Sequence, residues 1–457
     1  MLKVWFTVWG SSPFALRGFS AFWGVLGVLM VYAVCLAGRP RNGTEPPPLY
    51  EKRKQQAALI CACLFALHPE QIWVGRFGRM YSLGVFLAGL TAWLLLRALH
   101  AKGREPLWWS AYGLTVAAFC YTHNYAFFTI LAQTLFFGGA MVARWRRTAL
   151  HGALPSIRGF VFAGFIAFLL YLPWLPVLWS QMREVRRNYW IPPISFPEAE
   201  RVFFAWGTGI KIDGGELEMH LWLGLVVLAV FWTVWRDEGT GGCFLLQALI
   251  PWFCALGISI LTKRSIFVER YFAFANLAFV AWLAMLWRYL PSARERVLFS
   301  CLFLAASCYG LWHLVSGWSA KPPAIELAAR FLRDQYQEGD LIVVEGAVEV
   351  NRLRCYADRA GIDRLDVRTT VNAFARDLHM SHQAALVDTD ILAETPKMYS
   401  RPERLWRGGS DRVQAAPPEG MKTILEQTFE GGGGTRYVLI LHAKSSGSAR
   451  RISIFKP

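Results

Sequence analysis

The sequence predicts a polytopic α-helical membrane protein that ends in a soluble α/β domain, and three observations carry that prediction. Apolar runs of about 18–20 residues recur through residues 1–316, long enough to cross a bilayer. Only 18% of the 457 residues are charged and 54% are hydrophobic, whereas soluble proteins carry about a quarter charged residues. The 21 tryptophans suit bilayer interfaces, where an indole keeps its N–H wet and its ring in hydrocarbon.

About ten transmembrane helices are expected, over residues 19–38, 57–74, 80–99, 107–122, 125–143, 159–179, 219–235, 243–262, 271–290 and 297–316. The loops between them alternate in character. Residues 39–56, 100–106, 144–158, Arg236 and 291–296 form a basic set, assigned to the cytoplasm by the positive-inside rule. Residues 68–79, 123–124, 180–218 and 263–270 then face outward, and the long 180–218 loop is expected to act as a lid over an outward cavity. The net charge of +16 lies largely in the basic loops, so it is explained by topology and no nucleic-acid partner is expected. Eight of the nine cysteines sit in apolar runs, Cys355 being the exception, with neither metal-ligand spacing nor a disulfide framework.

This orientation puts residues 1–18 outside with no basic n-region or cleavage pattern after Met1. The expectation is that a first helix is missing from this sequence. The alternative is an outward start on which residues 2–9 form an amphipathic helix.

Beyond residue 316 the composition turns polar. IELAARFLRDQY has helical spacing, and LIVVEG, VRTTV, RYVLILHA and RISIFKP have strand character. Residues 317–457 are therefore expected to be an extracytoplasmic α/β domain, separate from the transmembrane domain of residues 1–316. The GGGG at 431–434 precedes a strand and is read as a hairpin or loop, not a phosphate cradle.

Acidic groups are scarce on the outer side. Glu70, Glu184, Glu198, Glu200, Asp213, Glu216, Glu218 and Glu269 are the acids of that face of the membrane region, so a base acting there comes from them, from the C-terminal domain or from a partner. Basic groups exceed what the positive-inside rule predicts: Arg76, Arg79, Arg183, Arg186, Arg187, Arg201, Lys211, Lys263, Arg264 and Arg270. Such an excess suits an anionic ligand, and a phosphate matches the guanidinium fork. If one helix begins near residue 70, Arg76 and Arg79 lie three apart on one face and grip a phosphate together; alternatively both snorkel to lipid headgroups. In KRSIFVERYF (263–272), Arg270 and Tyr271 join a charge to an aromatic donor, or form an interfacial anchor. In YTHNY (121–125), His123 is a relay or hydroxyl-binding group, or a satisfied loop histidine, with tyrosines able to stack on a sugar.

The stretches FTVWGSSPFALRGFSAFWGVLGVLMVY, LHPEQIWVGRFGRMYSLGVFLAGLTAWLLLRAL, WWSAYGLTVAAFCYTHNY and FVERYFAFANLAFVAWLA together resemble the bacterial integral-membrane glycosyltransferases of GT-C fold. That group includes the aminoarabinose transferase, the protein O-mannosyltransferases and the lipid A-core galacturonosyltransferases. The resemblance covers about residues 1–316, and R-x-x-R-M-Y-S-L and E-R-Y are its most distinctive parts. It implies sugar transfer from a polyprenyl-phosphate-linked donor to a lipid, glycan or protein acceptor, among the lipids of the bacterial inner (plasma) membrane.

Carried over residue by residue, Arg76, Arg79, Tyr81, Arg270 and Tyr271 would bind the donor phosphate or shape its pocket. His68, His123, Asn124, Tyr125 and Arg183 would line the cavity for the acceptor. The family's catalytic aspartate follows a first span, yet nothing acidic precedes Glu45 here. Either that segment lies outside the sequence, or an outward acid such as Glu70 has taken the role. No cofactor is indicated, and use of a divalent metal is left open. Two other readings stand beside transfer. One is a transporter or flippase of a lipid-linked glycan, which predicts mid-membrane charges and inverted repeats that the sequence does not display. The other is a non-catalytic fragment completed by a partner.

Overall fold

The computed structural model describes residues 2–10, 12–37, 48–101, 103–187, 191, 193–209, 216–236, 239–290, 292–316, 324–337, 341–344, 353, 356, 366–369, 404–409, 421–430 and 436–444. The chain divides into two compact units: residues 1–181 with 189–315, and residues 182–188 with 316–457.

The first unit is all helical. Its elements are α1 (Leu2–Trp9), α2 (Pro13–Ala37), α3 (Pro48–Leu67), α4 (Pro69–Arg76), α5 (Tyr81–His100), α6 (Glu105–Thr122), α7 (Ala126–Tyr171), the part of α8 (Leu175–Arg187) up to residue 181, α9 (Phe196–Thr208), α10 (Glu216–Arg236), α11 (Gly239–Thr262), α12 (Ala273–Tyr289) and α13 (Ala293–Ser316). A 3₁₀ turn, Glu269–Phe272, leads into α12. Among the described residues seven helical segments are long and apolar enough to span, and eight if the bent pair α3–α4 counts as one. That is fewer than the ten expected. The other two expected spans exist as helices, but α6 is diluted by tryptophan, tyrosine and threonine, and α10 offers only the apolar stretch Met219–Thr233.

Burial sorts the spans into centre and rim. Most of the α5 and α12 windows is covered by protein, 72% and 83%, against 11% for α13. On the outlying spans, side chains such as Phe165, Leu228, Leu261 and Trp312 are exposed, as expected where lipid replaces water.

Three local corrections follow from backbone chemistry. The expected single helix over 57–74 is α3 and α4, bent by 55°. Pro69 has no N–H and its ring would strike the carbonyl of Phe65, so it starts a new helix at N1, capped by His68, whose Nδ1 accepts the Glu70 N–H at 3.3 Å. The expected basic loop 144–158 is helical in backbone, within α7. Yet Phe137 and Phe160 stack at 4.1 Å, where a straight helix would separate them by about 35 Å. The chain therefore reverses inside α7, between Arg144 and Ser156, whose side chains meet at 3.3 Å.

The third correction concerns the expected lid. Residues 196–208 of that loop form α9, with Ala199, Phe203, Phe204 and Trp206 buried. Ser195 caps its start by accepting the Glu198 N–H at 3.3 Å, and Gly209 ends it at φ +76°. Trp206 donates its indole N–H to the Phe272 carbonyl at 2.9 Å, which ties α9 into the bundle beside α12.

A neutral polar network crosses the bundle interior. Tyr112 on α6 donates to Gln133 Oε1 at 2.9 Å, and Gln133 Nε2 donates to Thr91 Oγ1 on α5 and Gln247 Oε1 on α11, each at 2.9 Å. Gln133 is fully buried. Interhelical hydrogen bonds in membranes are worth about 0.6–2 kcal/mol each. Gln133→Leu is therefore expected to destabilise the bundle by roughly 2 kcal/mol or more, read as a lower melting temperature in detergent; an unchanged transition would mean the network is energetically idle.

The second unit carries a five-stranded sheet of order β2-β1-β3-β5-β4, from β1 (Leu341–Val344), β2 (Asp366–Thr369), β3 (Arg404–Gly409), β4 (Met421–Glu430) and β5 (Arg436–Lys444). β1 pairs in parallel with β2 and β3, and β5 runs antiparallel to β3 and β4. Helix α14 (Ala324–Gln335) buries Ala328, Ala329 and Leu332 in the core that also holds Ile342, Leu439 and Leu441. The strands at LIVVEG, VRTTV and RYVLILHA are present, while β3 and β4 escaped the pattern reading. Glu430 pairs with Arg436 across the β4–β5 hairpin; the glycines of 431–434 and the RISIFKP segment lie outside the described residues.

Candidate functional site

Within the first unit the start of α5, the α6–α7 turn and the segment before α12 meet. Arg270, in the 3₁₀ turn before α12, donates its Nε–H to the hydroxyl of Tyr81 at the start of α5, at 3.2 Å. Its guanidinium lies 5.4 Å from the ring centre of Tyr271. Tyr271 packs against His123 at 4.6 Å and Tyr125 at 5.0 Å, and Tyr81 lies 5.8 Å from His123. Tyr125 donates its hydroxyl hydrogen to the Ile266 carbonyl, which pins the α6–α7 turn to the segment before α12. Four expected site residues, Tyr81, His123, Tyr125 and Tyr271, thus form one cluster beside Arg270. Phe274 backs them, 5.2 Å from His123; nothing in the sequence reading picked it out.

His123 has a defined tautomer. Its Nδ1 accepts the Tyr125 backbone N–H at 3.1 Å, so the neutral ring carries its hydrogen on Nε2 and presents a donor. Burial, then the nearby Arg270 charge, lowers its pKa from 6.5 to about 4. An unfolded chain takes up this proton near pH 6.5 while the folded one resists until about pH 4, so stability falls as pH drops through that window. His123→Gln is expected to flatten that part of a melting-temperature-versus-pH curve; a curve identical to wild type would contradict the burial.

The arginines upstream are arranged differently from the expectation. Arg76 ends α4, Phe77 caps it, and Gly78 turns the chain at φ +61° before α5 begins. Arg76 and Arg79 therefore do not share a helical face, because the left-handed residue between them breaks the period. Arg79 lies 5.6 Å above the Phe77 ring, and both arginines are exposed. Arg76 is near enough to Arg17, at the start of α2, for the two charges to repel. Arg17 was not singled out from sequence; only packing of α2 on α4 brings it here.

Glu70 sits in the first turn of α4, half-buried, with one carboxylate oxygen inside the protein. It stands six residues before Arg76, about 9 Å along the helix axis. His68 is buried and structural in its contacts: besides capping α4 it bonds to the Gly207 backbone. Next to it Gln71 donates to Asn276 at 2.9 Å, and Asn276 donates to the Trp206 carbonyl at 2.8 Å, locking α4, α9 and α12 together. Asn124 is exposed in the α6–α7 turn. Arg183 is exposed on α8 and belongs to the second unit, so it is not among the side chains assembled here. Among the described residues no group of three or more His, Cys, Asp or Glu is placed to hold a metal ion.

This architecture is similar to that of ArnT from Cupriavidus metallidurans in the apo state, with TM-score 0.59 over 96% of this chain and 86% of that one at 14% identity. The oligosaccharyltransferase of Archaeoglobus fulgidus, solved with Zn and sulfate, aligns over 78% of this chain and 52% of its own at TM-score 0.41 and 15% identity; its apo form gives 0.43, 78%, 55% and 13%. Those two likenesses are too low to bear weight. No protein-family model and no curated protein matches the chain. The likeness to ArnT defines a class by fold: a GT-C-like polytopic membrane protein.

Proposed function

We propose that this protein transfers a sugar from a polyprenyl-phosphate-linked donor to a lipid, glycan or protein acceptor at the outer face of a bacterial inner membrane. The observation that carries the reading is Arg270 held by the Tyr81 hydroxyl inside a wall of His123, Tyr125 and Tyr271. It combines a fixed cation for a phosphate with aromatic faces for a sugar, at one end of a GT-C-like bundle. The flippase alternative calls for charge midway along the spans; the network there, around Gln133, is neutral, and buried Arg288 lies at the end of α12.

In this reading the donor phosphate meets Arg270, with Arg76, Arg79 and Arg17 adding positive charge around it. Tyr271, partly exposed, offers a ring face to the sugar, and buried Tyr125 supports it from behind. The Nε2–H of His123 donates to a sugar or acceptor oxygen, which makes it a positioning group and not a base, since its other nitrogen is occupied. Asn124 serves the acceptor side. Glu70 takes the proton of the acceptor hydroxyl as that oxygen bonds to the anomeric carbon and the polyprenyl phosphate leaves with the electron pair. The phosphate is a good leaving group, so the barrier is lowered mainly by the base and by cations facing the departing charge.

The test is sugar transfer from defined polyprenyl-phosphate-linked donors by the full chain in nanodiscs. Wild type is expected to release polyprenyl phosphate in step with glycosylated acceptor. Glu70→Gln is expected to lose about 10²–10⁴-fold in rate, the range for a general base. Undiminished transfer by that variant would remove Glu70 from the mechanism and leave the transfer reading standing, whereas no transfer from any donor by wild type would count against transfer itself.

A further inference from the structure

At the opposite end of α5 lies a cavity of about 80 Å³, lined by Ala37, Leu96, Arg97, His100, Ala101 and Trp108. Arg97 is 16 residues from Tyr81 along α5, about 24 Å of helix rise, so the cavity is separate from the site above. Its volume exceeds several-fold the roughly 10–15 Å³ that one water needs, leaving room for a phosphate group.

The walls are organised for an anion at a membrane interface. The Arg97 guanidinium stands 5.2 Å over the Trp93 ring, and Trp93 is met edge-on by Trp108 at 5.6 Å. The Trp93 ring, itself braced by Trp108, holds the arginine side chain in place, so less rotamer freedom is lost when it binds. His100 Nδ1 lies 2.8 Å from the Leu96 carbonyl; a carbonyl only accepts, so this nitrogen carries the hydrogen and the ring orientation is fixed. Arg97 makes no ion pair with an acid among the described residues. The nearest acid in sequence, Glu105, accepts the Gly103 N–H at 3.1 Å.

We propose that this cavity binds the phosphate group of an anionic phospholipid, with Arg97 as the principal contact and Trp93 and Trp108 seating the headgroup. A lipid is favoured over free phosphate because the cavity opens at the end of apolar spans with two indoles at its edge, where headgroups reside. Neutral headgroups leave the Arg97 charge only partly compensated, so phosphatidylglycerol is the expected class over phosphatidylcholine.

Native mass spectrometry of the full chain, released from nanodiscs containing equal phosphatidylglycerol and phosphatidylcholine, tests this directly. Wild type is expected to retain one phosphatidylglycerol that Arg97→Gln loses at least tenfold, while Arg104→Gln, outside the cavity, retains it. His100→Gln is expected to weaken retention less. Equal retention by wild type and Arg97→Gln, or equal retention of the two lipids, would overturn the proposal. A wild-type melting temperature raised by inorganic phosphate, with no lipid retained, would overturn the lipid assignment in favour of free phosphate. Lipid retention is read without any sugar transfer, so this outcome is independent of the proposed activity.

Discussion

Replacing Arg270 by alanine is expected to lower sugar transfer from a polyprenyl-phosphate-linked donor by about 100- to 1000-fold, the usual cost of deleting one oriented donor facing developing negative charge. The reason is positional. Arg270 is held through its Nε by Tyr81 and backed by the Tyr271 ring, which fixes the position of its charge beside the aromatic wall. Arg270→Lys keeps the charge but loses both the fork and the Tyr81 bond in its present form, so its activity should fall between alanine and wild type. Tyr81→Phe removes one hydroxyl and is expected to cost about fivefold, or about 1 kcal/mol. Rates measured with saturating donor separate these variants. An alanine variant within twofold of wild type would dissociate Arg270 from the phosphate.

The second large effect comes from a residue with no side chain. A Cβ at Gly84 would lie 2.3 Å from Phe274 Cε1 and 2.9 Å from two further atoms of that ring. Phe274 is only 2% exposed and is flanked by Phe119 at 5.6 Å and His123 at 5.2 Å. The ring cannot yield without moving the histidine wall. Gly84→Ala is expected to destabilise the protein by about 1–3 kcal/mol, the range for overpacking a dense core, and to reduce transfer by displacing His123 and Tyr271. Pairing it with Phe274→Leu relieves the clash, so the double variant should be more stable than the sum of the single effects predicts. Strict additivity in melting experiments would show that the two positions do not touch.

Much of the candidate site was readable as a set of residues but not as a set of contacts. Arg270, Tyr271, His123 and Tyr125 stand out in sequence because polar and aromatic groups gather at the ends of apolar runs, and Tyr81 is pointed to by the family resemblance alone. That Arg270 should bond to Tyr81 across 189 residues does not follow from either segment, because each residue along a helix turns its side chain by about 100°. Rotation and depth within the bundle, fixed by neighbours, select the partner. Arg17 and Phe274 went unnoticed for the same reason: one is an ordinary interfacial charge and the other an ordinary apolar residue until α2 and α12 bring them to the site.

The sequence by itself determined where most helices of the bundle lie and where the strands β1, β2 and β5 begin. Those properties depend on local hydropathy and charge, which each segment carries wherever it packs. Only the tertiary structure decided that Gly78 separates Arg76 from Arg79, that α7 reverses on itself, and that α9 is packed against the 3₁₀ turn before α12 where a lid was expected. Each depends on a single turn or contact whose energy is small beside the burial of a whole span. Hydropathy averaged over a span cannot register it, and packing does.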